Sequence, residues 1–240
     1  MLTLPIETIL FDLDGTLRHS VPSADDTQFQ LANEIGANVP PERQSLGARW
    51  AHYYWAQSPE LTEDARTFQK WDDNFWNNYL YRYLLALRLS EARAAELAPR
   101  FGELMREHYH PENTVYPDVP ETLQALREAG FTLGLVSNRS GSCHEECEAL
   151  GLLQYFDFAY VAGEVDAWKP DPRIFDRALA LSGAPPECTV YVGDNYYADI
   201  TGAQNAGLQG VLLDIKGIFP DAVCTVIRSI TELLSIVGMQ

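Results

Sequence analysis

The stretch IETILFDLDGTL, residues 6–17, decides the fold class of this chain. Residues 6–11 are mostly apolar and β-prone, which predicts a buried strand, and Gly15 permits a sharp exit from it. Asp12 and Asp14 stand directly where this strand ends. Ligands of open parallel sheets bind beyond the carboxyl ends of the strands, so these two carboxylates are candidate site residues.

Downstream of residue 115, short apolar segments alternate with helical patterns. The predicted strands are 131–136, 159–162, 189–192 and 210–213. The predicted helices are 118–129, 141–150, 172–182, 196–206 and 227–237. This alternation is typical of a parallel sheet with helices on both faces. The predicted fold class is therefore α/β, with a Rossmann-like parallel sheet as its core.

The intervening residues 18–112 have a different pattern, mostly helical, with helices predicted at 28–35, 44–57, 64–89 and 91–109. Four of the five tryptophans lie in this segment. Aromatic residues at helical spacing usually form the core of a small bundle. We therefore predict an α-helical cap domain, 18–112, inserted into a catalytic core formed by 1–17 and 113–240.

Composition restricts the partners of this chain. The net charge of −17 over 240 residues disfavours nucleic acid and anionic membranes. The sequence shows no basic leader and no apolar run that could span a bilayer. The four cysteines lack CxxC spacing, so we expect scattered reduced thiols in a cytoplasmic protein. Monomer and homodimer both remain open.

Polar residues also follow the later predicted strands. They are Ser137, Asn138, Lys169, Asp194 and Asp199. Taken in order, DLDGTL, SN, KPDP and GDNYYAD resemble the four motifs of the haloacid dehalogenase superfamily. The helical insertion resembles the cap of its phosphoglycolate-phosphatase-like branch. Asp14 is similar to the acid/base residue of the phosphoryl-transferring members, which the dehalogenases themselves lack.

The resemblance implies a mechanism of phosphate ester hydrolysis. Asp12 would attack phosphorus, and Asp14 would protonate the leaving oxygen and then activate water. Lys169 would neutralise charge on the phosphoryl oxygens, which Ser137 and backbone N–H groups near Asn138 and Leu13 would also bind. Thr16 would fix the loop and the side chain of Asp14. The implied substrate is a small-molecule phosphate ester.

Clustered carboxylates repel one another unless they bind protons or a cation. Mg²⁺ prefers oxygen ligands, so we expect it as the cofactor. The expected ligands are the carboxylates of Asp12 and Asp194 and the backbone carbonyl of Asp14. Asp199 is expected to act through water or to orient Lys169. An alternative for Asp199 is a charge that a helix N-terminus favours.

Several points stay open at the level of sequence. A phosphatase, a phosphomutase of the β-phosphoglucomutase type and a catalytically retired binding module share these residues, although the complete set argues against the last. Arg18 is either a contact for an anionic leaving group or a solvated hinge residue. Arg49 either reaches the site from the cap or lies on the cap surface. His108 and His110 are expected to be structural.

Overall fold

A computed structural model describes residues 2, 5–68 and 71–239. The chain divides into two compact units. The first unit ends at His19 and resumes at Thr114, and the second unit is Ser20–Asn113. The boundaries predicted from the sequence lie after residue 17 and after residue 112.

A six-stranded sheet forms the centre of the first unit. The strands of the chain are β1 (Thr8–Phe11), β2 (Arg18–Val21), β3 (Glu112–Val115), β4 (Thr132–Ser137), β5 (Phe158–Val161), β6 (Thr189–Gly193), β7 (Gln209–Leu213) and β8 (Thr225–Ile227). The sheet has the order β5-β4-β1-β6-β7-β8 with parallel pairing throughout, and β2 pairs separately with β3. The chain builds one side of β1 with β4 and β5 and then crosses to β6, which creates a switch point at β1.

The second unit is helical in its interior. Its helices are α1 (Ala24–Glu34), α2 (Gln44–Trp55), α3 (Pro59–Thr67), α4 (Asp73–Ala86) and α5 (Glu91–His108), with a 3₁₀ turn at Pro41–Arg43. Tyr54, Phe75, Tyr83 and Phe101 are fully buried in its core. Most of the aromatic side chains therefore pack the bundle, as their helical spacing predicts.

Helices cover both faces of the sheet in the first unit. They are α6 (Val119–Glu128), α7 (His144–Ala149), α8 (Ala162–Val165), α9 (Pro172–Ser182), α10 (Gly202–Asn205) and α11 (Glu232–Ile236), with 3₁₀ turns at Leu153–Tyr155 and Pro186–Cys188 and a π-helical turn at Tyr196–Thr201. Successive residues of a strand face opposite sides. Accordingly, Ile9 and Phe11 pack with α6, whereas Leu10 packs with Phe175 of α9. The predicted α/β parallel sheet is confirmed.

Two predicted helices are wrong in extent. The predicted helix 64–89 is divided into α3 and α4, because Asp72 caps a new helix by accepting a hydrogen bond from the Phe75 N–H. Residues 69 and 70 of that prediction lie outside the described residues. The predicted helix 227–237 begins only at Glu232. Its first residue belongs to β8, whose β-branched residues add to the sheet beside β7.

Within the described ranges, no helix combines the length and apolar character that crossing a bilayer requires.

Candidate active site

Three strand ends bring the candidate side chains together. Parallel register pairs Phe11 with Leu135 of β4 on one side and with Val192 of β6 on the other. Asp12 follows β1 immediately, Ser137 is the last residue of β4, and Asp194 follows β6. The carboxyl ends of these neighbouring strands therefore place their polar residues at one edge of the sheet.

Lys169 is the centre of a buried polar network. Its Nζ lies 2.6 Å from Oδ1 of Asp12 and 2.7 Å from Oδ1 of Asp199. The same ammonium donates to the Tyr191 hydroxyl at 2.8 Å and lies 3.2 Å from the carbonyl oxygen of Val136. Burial opposes the charge of Lys169, but Asp12 and Asp199 outweigh it and hold its pKa well above the ordinary value. The lysine is therefore a fixed cation against Asp12.

The two oxygens of Asp199 have different partners. While Oδ1 accepts from Lys169, Oδ2 accepts from the backbone N–H of Asn195 at 2.9 Å. Asp199 lies in the π-helical turn, which the side chain of Asn195 caps. Gly193 leaves the room for this carboxylate, because a Cβ on that glycine would lie 2.3 Å from Oδ2 of Asp199. The structure thus places Asp199 against the lysine and the loop that follows β6.

The loop after β1 packs closely against the side chain of Asp194. Gly15 has a φ of +86°, and a Cβ there would lie 2.4 Å from Oδ2 of Asp194. The buried hydroxyl of Thr16 donates to Oδ1 of Asp194 at 3.4 Å. Glycine at position 15 therefore serves both the left-handed backbone and the close approach of the aspartate.

Ser137 and Asn138 contribute the part of the site at the carboxyl end of β4. Ser137 is 1% exposed at the end of β4. The Asn138 side chain makes two hydrogen bonds with the backbone of Lys169, donating to its carbonyl at 2.9 Å and accepting from its N–H at 2.7 Å. Asn138 therefore positions the lysine, and both of these hydrogen bonds are made by its side-chain amide.

Three carboxylates are close enough to share a cation. One oxygen from each of Asp12, Asp194 and Asp199 lies within 4.8 Å of the others. Desolvation raises the pKa of Asp12 to about 7, with Asp199 and Asp14 adding to the increase and Lys169 opposing it. Desolvation, Asp199 and Asp12 hold the pKa of Asp194 well above its usual range. One lysine does not balance three carboxylates, so this oxygen-rich set fits a hard divalent cation.

Asp14 lies in an ion-pair network that sequence reasoning missed. Arg139 binds it through two hydrogen bonds, from Nε to Oδ2 at 2.7 Å and from Nη2 to Oδ1 at 2.8 Å. Arg18 also pairs with Asp14, and Glu146 of α7 pairs with both arginines. Arg18 is only 9% exposed, so it is not a solvated hinge residue. The sequence feature that could have pointed to Arg139 is its position directly after Ser137 and Asn138.

The remaining candidates are Arg49 and His108, which belong to the second unit, and the cysteines. Arg49 is a half-buried residue of α2 in the second unit. His108 ends α5, and its imidazole lies 3.8 Å from Glu107. All four cysteines are free thiols, and Cys143 and Cys147 are buried at the start of α7 and within it. Tyr191 of β6, whose hydroxyl accepts a hydrogen bond from Lys169, is a further contact that sequence reasoning missed.

Comparison with known proteins identifies the family. The family model for haloacid dehalogenase-like hydrolases matches residues 6–207. A phosphoserine phosphatase of Thermus thermophilus is 28% identical over 90% of this chain and 91% of its own length. A glyceraldehyde 3-phosphate phosphatase of Methanopyrus kandleri is 31% identical over 85% and 82%. A crystal structure of a phosphatase of the same superfamily from Thermococcus onnurineus, 25% identical, matches 98% of this chain and 99% of its own with a TM-score of 0.57.

The match covers most of the chain and includes every motif at the sheet edge. The resemblance seen in the sequence is therefore confirmed. This chain is an enzyme, and it belongs to the haloacid dehalogenase-like hydrolases.

Proposed function

We propose that this enzyme is a Mg²⁺-dependent phosphatase that hydrolyses a small-molecule phosphate monoester through an aspartyl-phosphate on Asp12. One observation carries the proposal: the buried Asp12 carboxylate is paired with Lys169 at 2.6 Å beside two further acidic groups. A carboxylate held against a fixed cation is suited to attack an anionic phosphoryl group. The two phosphatases to which the chain is similar support this reaction class.

In the first half of the reaction, an oxygen of Asp12 forms a bond to phosphorus, and the bond from phosphorus to the ester oxygen breaks. The leaving oxygen takes a proton from Asp14, two residues further along the same loop. Lys169, the Ser137 hydroxyl and the backbone N–H groups near Leu13 and Asn138 offset charge on the transferring oxygens.

In the second half, Asp14 accepts a proton from water as that water attacks phosphorus. The bond between phosphorus and Asp12 breaks, which releases phosphate and regenerates the carboxylate. The same residue therefore works first as an acid and then as a base, and no external proton donor is required.

Mg²⁺ would be held by the carboxylates of Asp12 and Asp194 and by the backbone carbonyl of Asp14. When bound, it supplies positive charge that keeps the clustered carboxylates ionised and stabilises charge on the phosphoryl group. Asp199 would act indirectly, because both of its oxygens have partners within the protein.

Removing divalent cations is expected to stop hydrolysis. With p-nitrophenyl phosphate as substrate, phosphate release should require Mg²⁺ and should disappear after chelation. Mg²⁺ should also raise the melting temperature, because a ligand that binds only the folded state stabilises it by about 2.7 kcal/mol at one hundred times its Kd. Full activity of thoroughly chelated enzyme would contradict the proposed site.

Asp194→Asn tests whether Mg²⁺ stabilises the protein by binding at the acidic cluster. The same melting experiment is used. Without cations, the variant should melt about 2–4 °C above the parent, because one of the mutually repelling charges is gone. In Mg²⁺ the melting temperature of the variant should rise by less than that of the parent. Asp157→Asn is the matched control, since this exposed aspartate accepts from the Leu133 N–H at the opposite end of the strands. It should keep the parent response to Mg²⁺.

Asp14→Asn tests acid/base catalysis. Turnover of alkyl phosphates should fall about 10²-fold, because their leaving oxygens need a proton. The loss should be much smaller for p-nitrophenyl phosphate, whose leaving group departs without one. Equal losses for both substrates would show that Asp14 does not transfer the proton.

A phosphomutase would use the same residues. Incubation with a sugar phosphate distinguishes the two activities, because a mutase returns the phosphoryl group to the sugar while a phosphatase releases inorganic phosphate. We expect phosphate as the product.

A further inference from the structure

The hydroxyl of Tyr191 joins two parts of the active site. It donates a hydrogen bond to the carbonyl oxygen of Val136 at 2.7 Å, since a carbonyl oxygen only accepts. Its lone pairs therefore remain for Lys169, whose Nζ donates to it from 2.8 Å. Burial holds the pKa of Tyr191 well above its ordinary value, so this hydroxyl keeps its proton. Tyr191 thus links the lysine to the residue of β4 that precedes Ser137.

The ammonium of Lys169 has three N–H groups and three close acceptors. Two are the carboxylates of Asp12 and Asp199, at 2.6 and 2.7 Å, and the third is the hydroxyl of Tyr191. The carbonyl oxygen of Val136 lies further away, at 3.2 Å, and it already accepts from the tyrosine. Tyr191 therefore takes the third N–H of the lysine and also occupies the carbonyl that would compete for it.

The ring and the hydroxyl of Tyr191 have separate roles. The ring is fully buried and packs edge-on against Phe175 of α9, with 5.1 Å between the ring centroids. A phenylalanine would fill the same space, so core packing accounts for the ring alone. A buried hydroxyl is unfavourable unless it is hydrogen-bonded, and one of its two bonds here is to Lys169. The contact with the lysine is therefore the feature that distinguishes tyrosine from phenylalanine at this position.

We propose that Tyr191 is a positioning residue for the hydrolysis, which holds the ammonium of Lys169 against Asp12 by accepting its third N–H. The inference rests on the proposed function, in which Asp12 attacks phosphorus beside this cation. Without the hydroxyl, the ammonium turns towards the vacated carbonyl of Val136, and its contact with the nucleophile loosens. Tyr191 acts through the lysine, because its fully buried hydroxyl is already bonded to two protein groups.

The first test measures the ammonium directly in Tyr191→Phe, which removes one oxygen atom and keeps the ring. The chain has three lysines, Lys70, Lys169 and Lys216, so ¹⁵Nζ-lysine labelling gives few ammonium signals, and Lys169→Met identifies the signal of Lys169. In the parent, the protons of this buried ammonium should exchange slowly with water. In Tyr191→Phe they should exchange at least about tenfold faster, because a hydrogen bond to a charged group is lost.

The second test measures attack by Asp12 in the presence of Mg²⁺. Stopped-flow release of p-nitrophenolate, with enzyme in saturating excess over p-nitrophenyl phosphate, gives the rate constant of the first step. This rate constant does not depend on the fraction of enzyme that is folded, so loss of folded protein alone leaves it unchanged. Tyr191→Phe should lower it about tenfold and should leave KM within about twofold of the parent, because the lost contact acts on the nucleophile.

Tyr160→Phe is the matched control. Tyr160 is also a buried tyrosine of the sheet, but its hydroxyl donates to the carbonyl oxygen of Ile174. This variant should keep the parent values of both the exchange rate and the rate constant, and melting temperatures verify that all variants are folded.

Three results would overturn the inference. They are fast exchange of the Lys169 ammonium in the parent itself, which requires no variant, parent-like exchange in Tyr191→Phe, and a parent-like rate constant in Tyr191→Phe. Equal losses in Tyr160→Phe would also contradict it, since any buried tyrosine hydroxyl would then have the same effect. Absence of p-nitrophenolate release by the parent would instead overturn the proposed function, and the exchange comparison would still test the contact between Tyr191 and Lys169.

Discussion

Asp12→Asn is expected to abolish turnover, with a loss of about four to six orders of magnitude. The amide has nearly the same shape as the carboxylate but lacks its nucleophilic oxygen, so no covalent phosphoenzyme can form. Rapid acid quench of the parent with a ³²P-labelled substrate should trap label on the protein. The same quench of the variant should trap none.

The substitution should not destabilise the fold. Burial raises the pKa of Asp12 to about 7, so the neutral amide removes a desolvated charge even though it gives up the pair with Lys169. Asp157→Asn is again the control, and its turnover should match that of the parent. Near-normal turnover by a well-folded Asp12→Asn would show that another group attacks phosphorus.

Lys169→Met is expected to reduce turnover by about 10³-fold and also to destabilise the protein. Catalysis suffers because the lysine both holds Asp12 and offsets the charge of the phosphoryl group. Stability suffers because Asp12 and Asp199 lose a buried cation at 2.6 and 2.7 Å, and breaking a buried pair in this way costs about 3–5 kcal/mol.

The destabilisation should depend on pH in a defined direction. The Asp12 pKa is already raised in the folded protein, and removal of the lysine raises it further. A carboxyl group whose folded pKa is raised binds its proton more tightly when folded, so its contribution to stability falls as pH rises. The difference between variant and parent should therefore grow as the pH rises above about 7, the folded pKa of Asp12 in the parent. Urea unfolding at several pH values, without divalent cations, measures it.

Two further lysine variants complete this experiment. Lys216→Met removes an exposed lysine of the same unit, and it should change the free energy of unfolding by less than about 0.5 kcal/mol. Lys169→Arg keeps the charge but requires a larger planar group in a fully buried position, so it should recover little activity. Substantial activity in Lys169→Met would show that the lysine is structural only.

The cap hypothesis follows from the sequence and remains a prediction. The candidate catalytic residues all belong to the first unit, so the helices of the second unit are expected to select the substrate. Substitution of Arg49 should then change relative kcat/KM among substrates more than it changes hydrolysis of p-nitrophenyl phosphate.

Local patterns were sufficient for much of the fold. Strand β1 and most helices could be predicted because apolar periodicity and turn residues act within a few positions of the chain. The helix boundary at Asp72 and the strand β8 could not be predicted in the same way. The former depends on one capping hydrogen bond within a helical pattern, and the latter on pairing with β7, which is distant in sequence.

The sequence by itself determined which residue types follow each strand. It therefore determined that the carboxyl-terminal edge of the sheet is acidic and suited to bind a cation. Asp12, Ser137, Lys169 and Asp194 were candidates because parallel strands end at a common edge whatever their partners are. Only the tertiary structure decided the contacts among them, such as the pairing of Lys169 with Tyr191 and of Asp14 with Arg139. Asp14 and Arg139 are 125 residues apart, and their pairing depends on β1 lying beside β4. Side-chain contacts of this kind arise from strand order and register, which local propensity does not encode.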